Sequence, residues 1–303
     1  MTAIALYRGM VNTWECDVNG HMNVQFYLAK TGEGMPHLRQ AIGLTPAVIA
    51  DTGRSYAAIK ALVRYRQEVH AGDPLHVEAT IVEATDKTMT IVADMTRSSD
   101  GKLSARVELT AIAFDLTARR AMAWAPEQRE RIDALLSERP AELRAPGTGG
   151  PSTPPDGASP RAPLLSAQSS VKAWECDELG HFSAHFYMDR VTDSVSHMLA
   201  AMGLDPASRA ERGVVTGALE YDIRFRRELR AGEVVTLHSG LLGLGEKTFR
   251  AGHVMREAGS GKVCATFDSI GVCIDSKARR AVRFPDDLRD RAAGLFIDWP
   301  PES

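Results

Sequence analysis

Several things are scarce in this sequence. Its 303 residues include only four cysteines and 6% aromatics, its net charge is only −3, and no apolar run reaches the length of a membrane span. Four irregularly spaced cysteines exclude a disulfide scaffold and a CxxC metal site. A nearly balanced charge excludes a protein that holds nucleic acid mainly by neutralising phosphates. No stretch of about 20 apolar residues is available for a membrane helix, so no membrane partner is expected. The N-terminus has no basic segment leading into an apolar one, and a cytoplasmic location is the resulting expectation. What remains, 44% hydrophobic and 25% charged residues, is ordinary globular material, enough for two domains of about 140 residues each.

The chain repeats itself. Trp14-Glu15-Cys16-Asp17-Val18-Asn19-Gly20-His21 recurs as Trp174-Glu175-Cys176-Asp177-Glu178-Leu179-Gly180-His181. The same offset relates Phe26-Tyr27 to Phe186-Tyr187, Gly43-Leu44 to Gly203-Leu204, Ala71-Gly72 to Ala231-Gly232 and Lys87-Thr88 to Lys247-Thr248. A gapless self-match of this length means one fold used twice. Between the copies, residues 139–163 turn to Pro, Gly, Ser and Ala, the composition of a linker that cannot pack. The expected division is therefore 1–138, a linker over 139–163, and 164–303.

Each copy reads as a strand, a helix and four more strands. The first strand spans Ile4 to Trp14, or Leu164 to Trp174, and runs into the Asp-x-x-Gly-His turn. In the second copy Tyr187, Val191, Val195, Met198 and Met202 recur at helical spacing. In the first copy Gly32, Gly34 and Pro36 predict a kink or break, and Gly43 and Gly203 close the helices. Four strands follow, roughly Tyr56–Val69, Pro74–Ala84, Thr88–Arg97 and Leu103–Leu116, joined by short turns as an antiparallel meander. A polar helix, Pro126–Leu136 or Pro285–Leu295, ends each copy. The fold class is α+β, with the long helix burying its apolar face on a five-stranded antiparallel sheet.

The chemistry concentrates around Asp17. It is expected where strand gives way to helix, with Gly20 tightening the turn so that His21, Asn23 and the first helical N–H groups converge. Such N–H groups suit an oxyanion, and a carboxylate beside them can act as general base or nucleophile. If the strand extends this far, alternation puts Cys16 on the opposite face from Asp17 and weakens it as a nucleophile. The alternative role for Asp17 and Asp177 is to cap the following helix, and that for His21 is a bond to backbone. Tyr27 and Tyr187 are candidates for substrate contact or for packing with a satisfied hydroxyl.

At these residues the chain resembles the hotdog-fold thioesterases, in the 4-hydroxybenzoyl-CoA thioesterase-like branch, with its Asp-x-x-Gly-His-x-Asn-x-x-x-Tyr signature. Asp17, Gly20, His21, Asn23 and Tyr27 match in full. Asp177, Gly180, His181 and Tyr187 match in the second copy, where Ser183 replaces Asn. The resemblance implies a double hotdog, an acyl-CoA substrate, no cofactor, an Asp acting as base or nucleophile, and pairing of such chains as a homodimer. It also makes Asp17 the favoured catalytic residue over Asp177, because Ser183 is too short to do the work of Asn23. A hotdog enoyl or 3-hydroxyacyl thioester hydratase is the rival enzyme, although His follows Asp by five residues in that branch and by four here. A non-enzymatic acyl-thioester-binding or assembly protein is the third reading.

Other motifs carry less. His181 and His185 stand one helical turn apart, but no Glu follows His181 as a zinc-protease helix requires, and the first copy has Gln25 opposite His185, so no metal is expected. The glycines between Gly240 and Thr248 have no counterpart in the first copy and read as a hairpin. Arg64, Arg66, Arg224 and Arg226 read as the solvated face of a strand, or as partners for the phosphates of CoA.

Overall fold

The computed structural model describes residues 3–143 and 160–299. The chain divides into two compact units, Met1–Leu143 and Arg144–Ser303. Most of the linker expected over 139–163, residues 144–159, lies outside the described residues.

In the first unit β1 (Ile4–Met10) leads through a single 3-10 turn (Thr13–Glu15) to a helix in two pieces, α1 (Val24–Glu33) and α2 (Met35–Ala41). A short α3 (Pro46–Thr52) precedes β2 (Arg54–Tyr65), β3 (Pro74–Ala84), β4 (Thr88–Arg97), β5 (Lys102–Asp115) and the two-residue β6 (Arg120–Ala121), and α4 (Pro126–Leu135) closes the unit. The five long strands pair antiparallel in the order β1-β3-β4-β5-β2. The second unit repeats the plan with β7 (Leu164–Ser170), α5 (Ala184–Ala201), α6 (Pro206–Arg212), β8 (Val214–Phe225), β9 (Val234–Leu244), β10 (Thr248–Glu257), β11 (Val263–Asp275) and α7 (Asp286–Ala292). Its strands run β7-β9-β10-β11-β8, again antiparallel.

The core follows the strand period. Val77, Ala79 and Ile81 on β3 and Ile91, Ala93 and Met95 on β4 are all buried, as are Leu28 and Leu38 of the helix. Each fully buried aliphatic side chain contributes about 1.5–3 kcal/mol relative to exposure. α1 and α2 lie on β1, and α5 lies on β7 and β9.

The expected helix break is present, and its cause is specific. Gly34 separates α1 from α2, a Cβ there would collide with Leu6 of β1, and Pro36 opens α2. Ser194 takes the place of Gly34 in the second unit, and α5 runs through without interruption. Gly43 and Gly203 both adopt positive φ, 83° and 85°, at the helix ends.

Three expectations need correction. The first strand stops at Met10, not Trp14, because the Asn12 N–H donates to Glu15 Oε2 at 2.7 Å and folds the chain into the 3-10 turn. The alternation argument for Cys16 therefore does not apply. The second strand ends at Tyr65, short of Val69, and the last helix is Asp286–Ala292 followed by a 3-10 turn. The short helices α3 and α6 were also not expected, although each has a capping residue, Thr45 or Asp205, a Pro in its first turn and a left-handed Gly at its end.

Candidate active site

In each unit the Asp-x-x-Gly-His segment forms a miniature hairpin. The Asn23 N–H donates to Glu15 O at 2.8 Å, Cys16 bridges Met22, and the Asp17 N–H donates to His21 O at 2.9 Å. Gly20, at φ 80°, donates its N–H to Asp17 O at 3.0 Å and closes the tip. A side chain would strain that left-handed position. The second unit repeats these bonds through Ser183, Cys176, Phe182, Asp177, His181 and Gly180. Asp17 thus lies across the hairpin from His21, close to the Asn23 cap of α1, and does not itself begin the helix.

The hairpin is anchored from two sides. The Met22 N–H donates to Val69 O and the Phe182 N–H to Leu229 O, both at 2.8 Å, tying it to the segment after β2 or β8. On the other side Glu15 is buried against Lys30 of α1, with Lys30 Nζ 2.8 Å from Glu15 Oε1, 3.1 Å from Tyr7 Oη and 3.0 Å from Met10 O. Burial disfavours the Lys30 ammonium, but its bonds to Glu15 and Tyr7 outweigh burial and raise its pKa. Arg190 and Glu175 occupy the same places, the guanidinium meeting the two carboxylate oxygens at 2.7 and 2.8 Å. Sequence reasoning missed these pairs; the available signal was a Glu and a cation matched in position across the repeat.

His21 stands between two carboxylates. Its Nδ1 is 3.8 Å from Asp17 Oδ2 and 3.3 Å from Met22 O, and its Nε2 is 3.7 Å from Glu68 Oε1. His181 Nε2 likewise lies 3.9 Å from Glu228 Oε1. The separations from the carboxylates are longer than hydrogen bonds, so these groups are close neighbours and not bonded partners. Glu68 and Glu228, again repeat partners, lie beside the motif histidines although the motif does not include them.

The two sites are unequal in a way that composition alone did not show. Asp17 Oδ1 accepts one backbone N–H, from Asn19 at 2.8 Å, whereas Asp177 Oδ1 accepts two, from Leu179 at 2.9 Å and His181 at 3.0 Å. Asn23 caps α1 by accepting the Gln25 N–H at 3.1 Å, and Ser183 makes no side-chain cap on α5. One N–H expected to face an oxyanion is therefore occupied by Asn23 in the first unit, while the second unit has the less capped helix N-terminus.

The remaining candidates separate into core and surface. Tyr27 packs edge-on to Tyr65 with centroids 5.0 Å apart, and Tyr187 packs on Phe225 at 5.2 Å. Both phenols are buried, and desolvation raises their pKa well above the usual range. Arg66 and Arg226 are exposed just beyond the ends of β2 and β8, and Arg224 is exposed near Asp222, with 3.6 Å between the charges. Arg64 is half-buried and pairs in register with Arg106. The Tyr65 hydroxyl reaches Val24 O at 3.4 Å, so the end of β2 that carries Arg66 abuts the start of α1. Cys16 and Cys176 direct their thiols to Asn12 O and Lys172 O, each at 3.7 Å, and burial raises the Cys176 pKa. His185 lies against Phe186, and burial lowers its pKa.

A duplicated hairpin of this kind, carried on a helix and antiparallel sheet, matches a known family over residues 11–132 and again over 171–292. The chain belongs to the thioesterase-like superfamily. Within its reach lies the L-carnitine dehydrogenase/betainyl-CoA thioesterase of Agrobacterium fabrum, 30% identical over 126 residues, which are 42% of this chain and 26% of that protein. A betainyl-CoA thioesterase of Pseudomonas aeruginosa is 25% identical over 44% of this chain and 83% of its own length. The chain thus spans about a quarter of the first relative and most of the second. Among solved structures, an acyl-ACP thioesterase of Bacteroides thetaiotaomicron superposes with a TM-score of 0.66 at 12% identity, covering 89% of this chain and 97% of that one. The 12:0-ACP thioesterase of Umbellularia californica gives 0.66 at 13% identity, covering 89% and 93%. These likenesses show the fold, a tandem hotdog of the α+β class. Among the described residues no helix is long and apolar enough to cross a membrane.

Proposed function

We propose that this chain is an acyl-CoA thioesterase, hydrolysing a thioester to a carboxylic acid and free CoA. The observation that carries this reading is the Asp hairpin, built twice, each time holding a carboxylate beside a His and close to a helix N-terminus. Family membership and the thioesterase names of the relatives support it. In the mechanism Asp17 accepts a proton from water as the water oxygen adds to the thioester carbonyl. N–H groups at the start of the helix hold the resulting oxyanion. Its collapse expels the thiolate, which recovers the proton. Direct attack by Asp17 to form a transient anhydride uses the same geometry. His21, between Asp17 and Glu68, orients the carboxylate, and Asn23 fixes the helix start. Arg66 and Arg226, exposed just beyond β2 and β8, would meet phosphates of CoA. The cytoplasm as the working compartment and a homodimer as the working form belong to the same proposal.

General-base help contributes roughly 10²–10⁴-fold and each oxyanion donor roughly 10²–10³-fold. The test is thiol release from a panel of short, long, branched, aromatic and betainyl acyl-CoAs. Release from at least one supports the reading. Silence across the panel, with hydration of an enoyl-CoA, would replace it with the hydratase.

A further inference from the structure

The second unit buries a polar cluster that the first lacks. The hydroxyls of Ser166 on β7, Ser194 on α5 and Ser239 on β9 form a triangle with sides of 2.7, 2.7 and 2.6 Å. Ser239 Oγ and Ser194 Oγ stand 2.7 and 3.4 Å from Nδ1 of His253 on β10. All four residues are at most 2% exposed. The first unit has Leu6, Gly34, Ala79 and Ala93 at the matching positions. The fold therefore does not need these polar groups.

Counting protons leaves one atom of the cluster open. Ser166 donates to Leu237 O at 3.2 Å. With that proton committed, the other two hydroxyl protons fill two of the three sides of the triangle, and none is left for His253. The contact between Ser239 and His253 is then filled when Nδ1 carries the ring proton. Nε2 becomes a bare acceptor, and it has no hydrogen-bond partner among the described residues. An empty buried acceptor is destabilising, and a donor on a guest would relieve it.

The helix above the cluster is also more adaptable than its counterpart. Buried Met188, Met198 and Met202 stand where the first unit has Leu28, Leu38 and Ile42, against one exchange in the other direction, Met35 to Val195. Unbranched methionine re-forms readily around a guest. Ser194 lies about three turns, roughly 16 Å, along α5 from Ser183 at the helix N-terminus, where the thioester would sit.

We infer that the interior of the second unit holds a binding subsite for a hydroxylated acyl chain of medium length. The chain runs from the N-terminus of α5 beneath the helix, and its hydroxyl donates to His253 Nε2. This rests on the thioesterase reading only in placing the thioester at that helix end.

The test uses the full-length protein and a Ser239→Ala/His253→Ala variant, which carries the residues that the first unit has at those places. Thiol release is measured from dodecanoyl-CoA and from its mid-chain and terminal hydroxy derivatives. The wild type is expected to favour at least one hydroxy derivative several-fold in kcat/KM, and the ratio is expected to fall to near one in the variant. A second measurement needs no turnover: the nitrogen NMR resonance of His253 Nε2 moves when hydroxydodecanoic acid is added and stays in place with dodecanoic acid. If the resonance moves while no acyl-CoA is hydrolysed, the subsite stands and the thioesterase reading fails. If acyl-CoAs are hydrolysed with equal ratios in both proteins, or the resonance does not move because Nε2 holds only water, the subsite is overturned.

Discussion

Lys30 Nζ donates to Glu15 Oε1 at 2.8 Å beneath the hairpin that carries Asp17, with Lys30 1% and Glu15 7% exposed. The pair clamps α1 to the turn just before the candidate base. Removing one partner leaves the other charge buried and uncompensated, a loss of about 3–5 kcal/mol. Lys30→Met is expected to lower the unfolding free energy by that amount in a urea titration followed by circular dichroism. Lys30→Arg, which imitates Arg190, is expected to restore much of it.

The Asn23 cap gives a second, smaller stability prediction. It accepts the Gln25 N–H, whereas Ser183 caps nothing. Asn23→Ala should cost about 0.5–2 kcal/mol. Ser183→Asn should raise the stability of the second unit by giving α5 the cap that α1 has, so a gain in melting temperature is expected.

Glu68 yields a test that separates charge from packing. It lies 3.7 Å from His21 Nε2. Glu68→Gln keeps the shape and removes the charge. Thiol release should fall several-fold, while the unfolding midpoint changes little. Unchanged thiol release would remove Glu68 from the site.

Acid should act on the second unit through His253. Burial lowers its pKa from 6.5 to about 4, so between these values the unfolded chain binds a proton that the folded unit refuses. Its contribution is intact above pH 6.5 and is lost as pH falls toward 4, on the order of 3 kcal/mol in total. Unfolding measured across that window should show this slope in the wild type and a flatter one in Ser239→Ala/His253→Ala.

Much of the fold was legible because it depends on local pattern. β3 and β4 match the expected spans to the residue, since alternation and turn residues define both ends. The break at Gly34 was legible from Gly and Pro alone. β1 was overextended because the apolar residues continue past Met10 while a Glu15 bond turns the backbone, and periodicity does not register a bond from side chain to backbone. Asp17, His21 and Asn23 were found as a motif, and the structure groups them in one hairpin. Glu68, Glu228 and the pairs of Glu15 with Lys30 and Glu175 with Arg190 were missed because they are contacts between segments distant in sequence, visible beforehand only as charges matched across the repeat.

The central claim is that the Asp hairpins are the seat of thioester hydrolysis. It is tested most directly by thiol release from the best acyl-CoA in Asp17→Asn, Asp177→Asn and the double variant. The predicted result is a loss of roughly 10²-fold or more in the double variant, with Asp17→Asn accounting for the larger part. Full activity in the double variant would contradict the account.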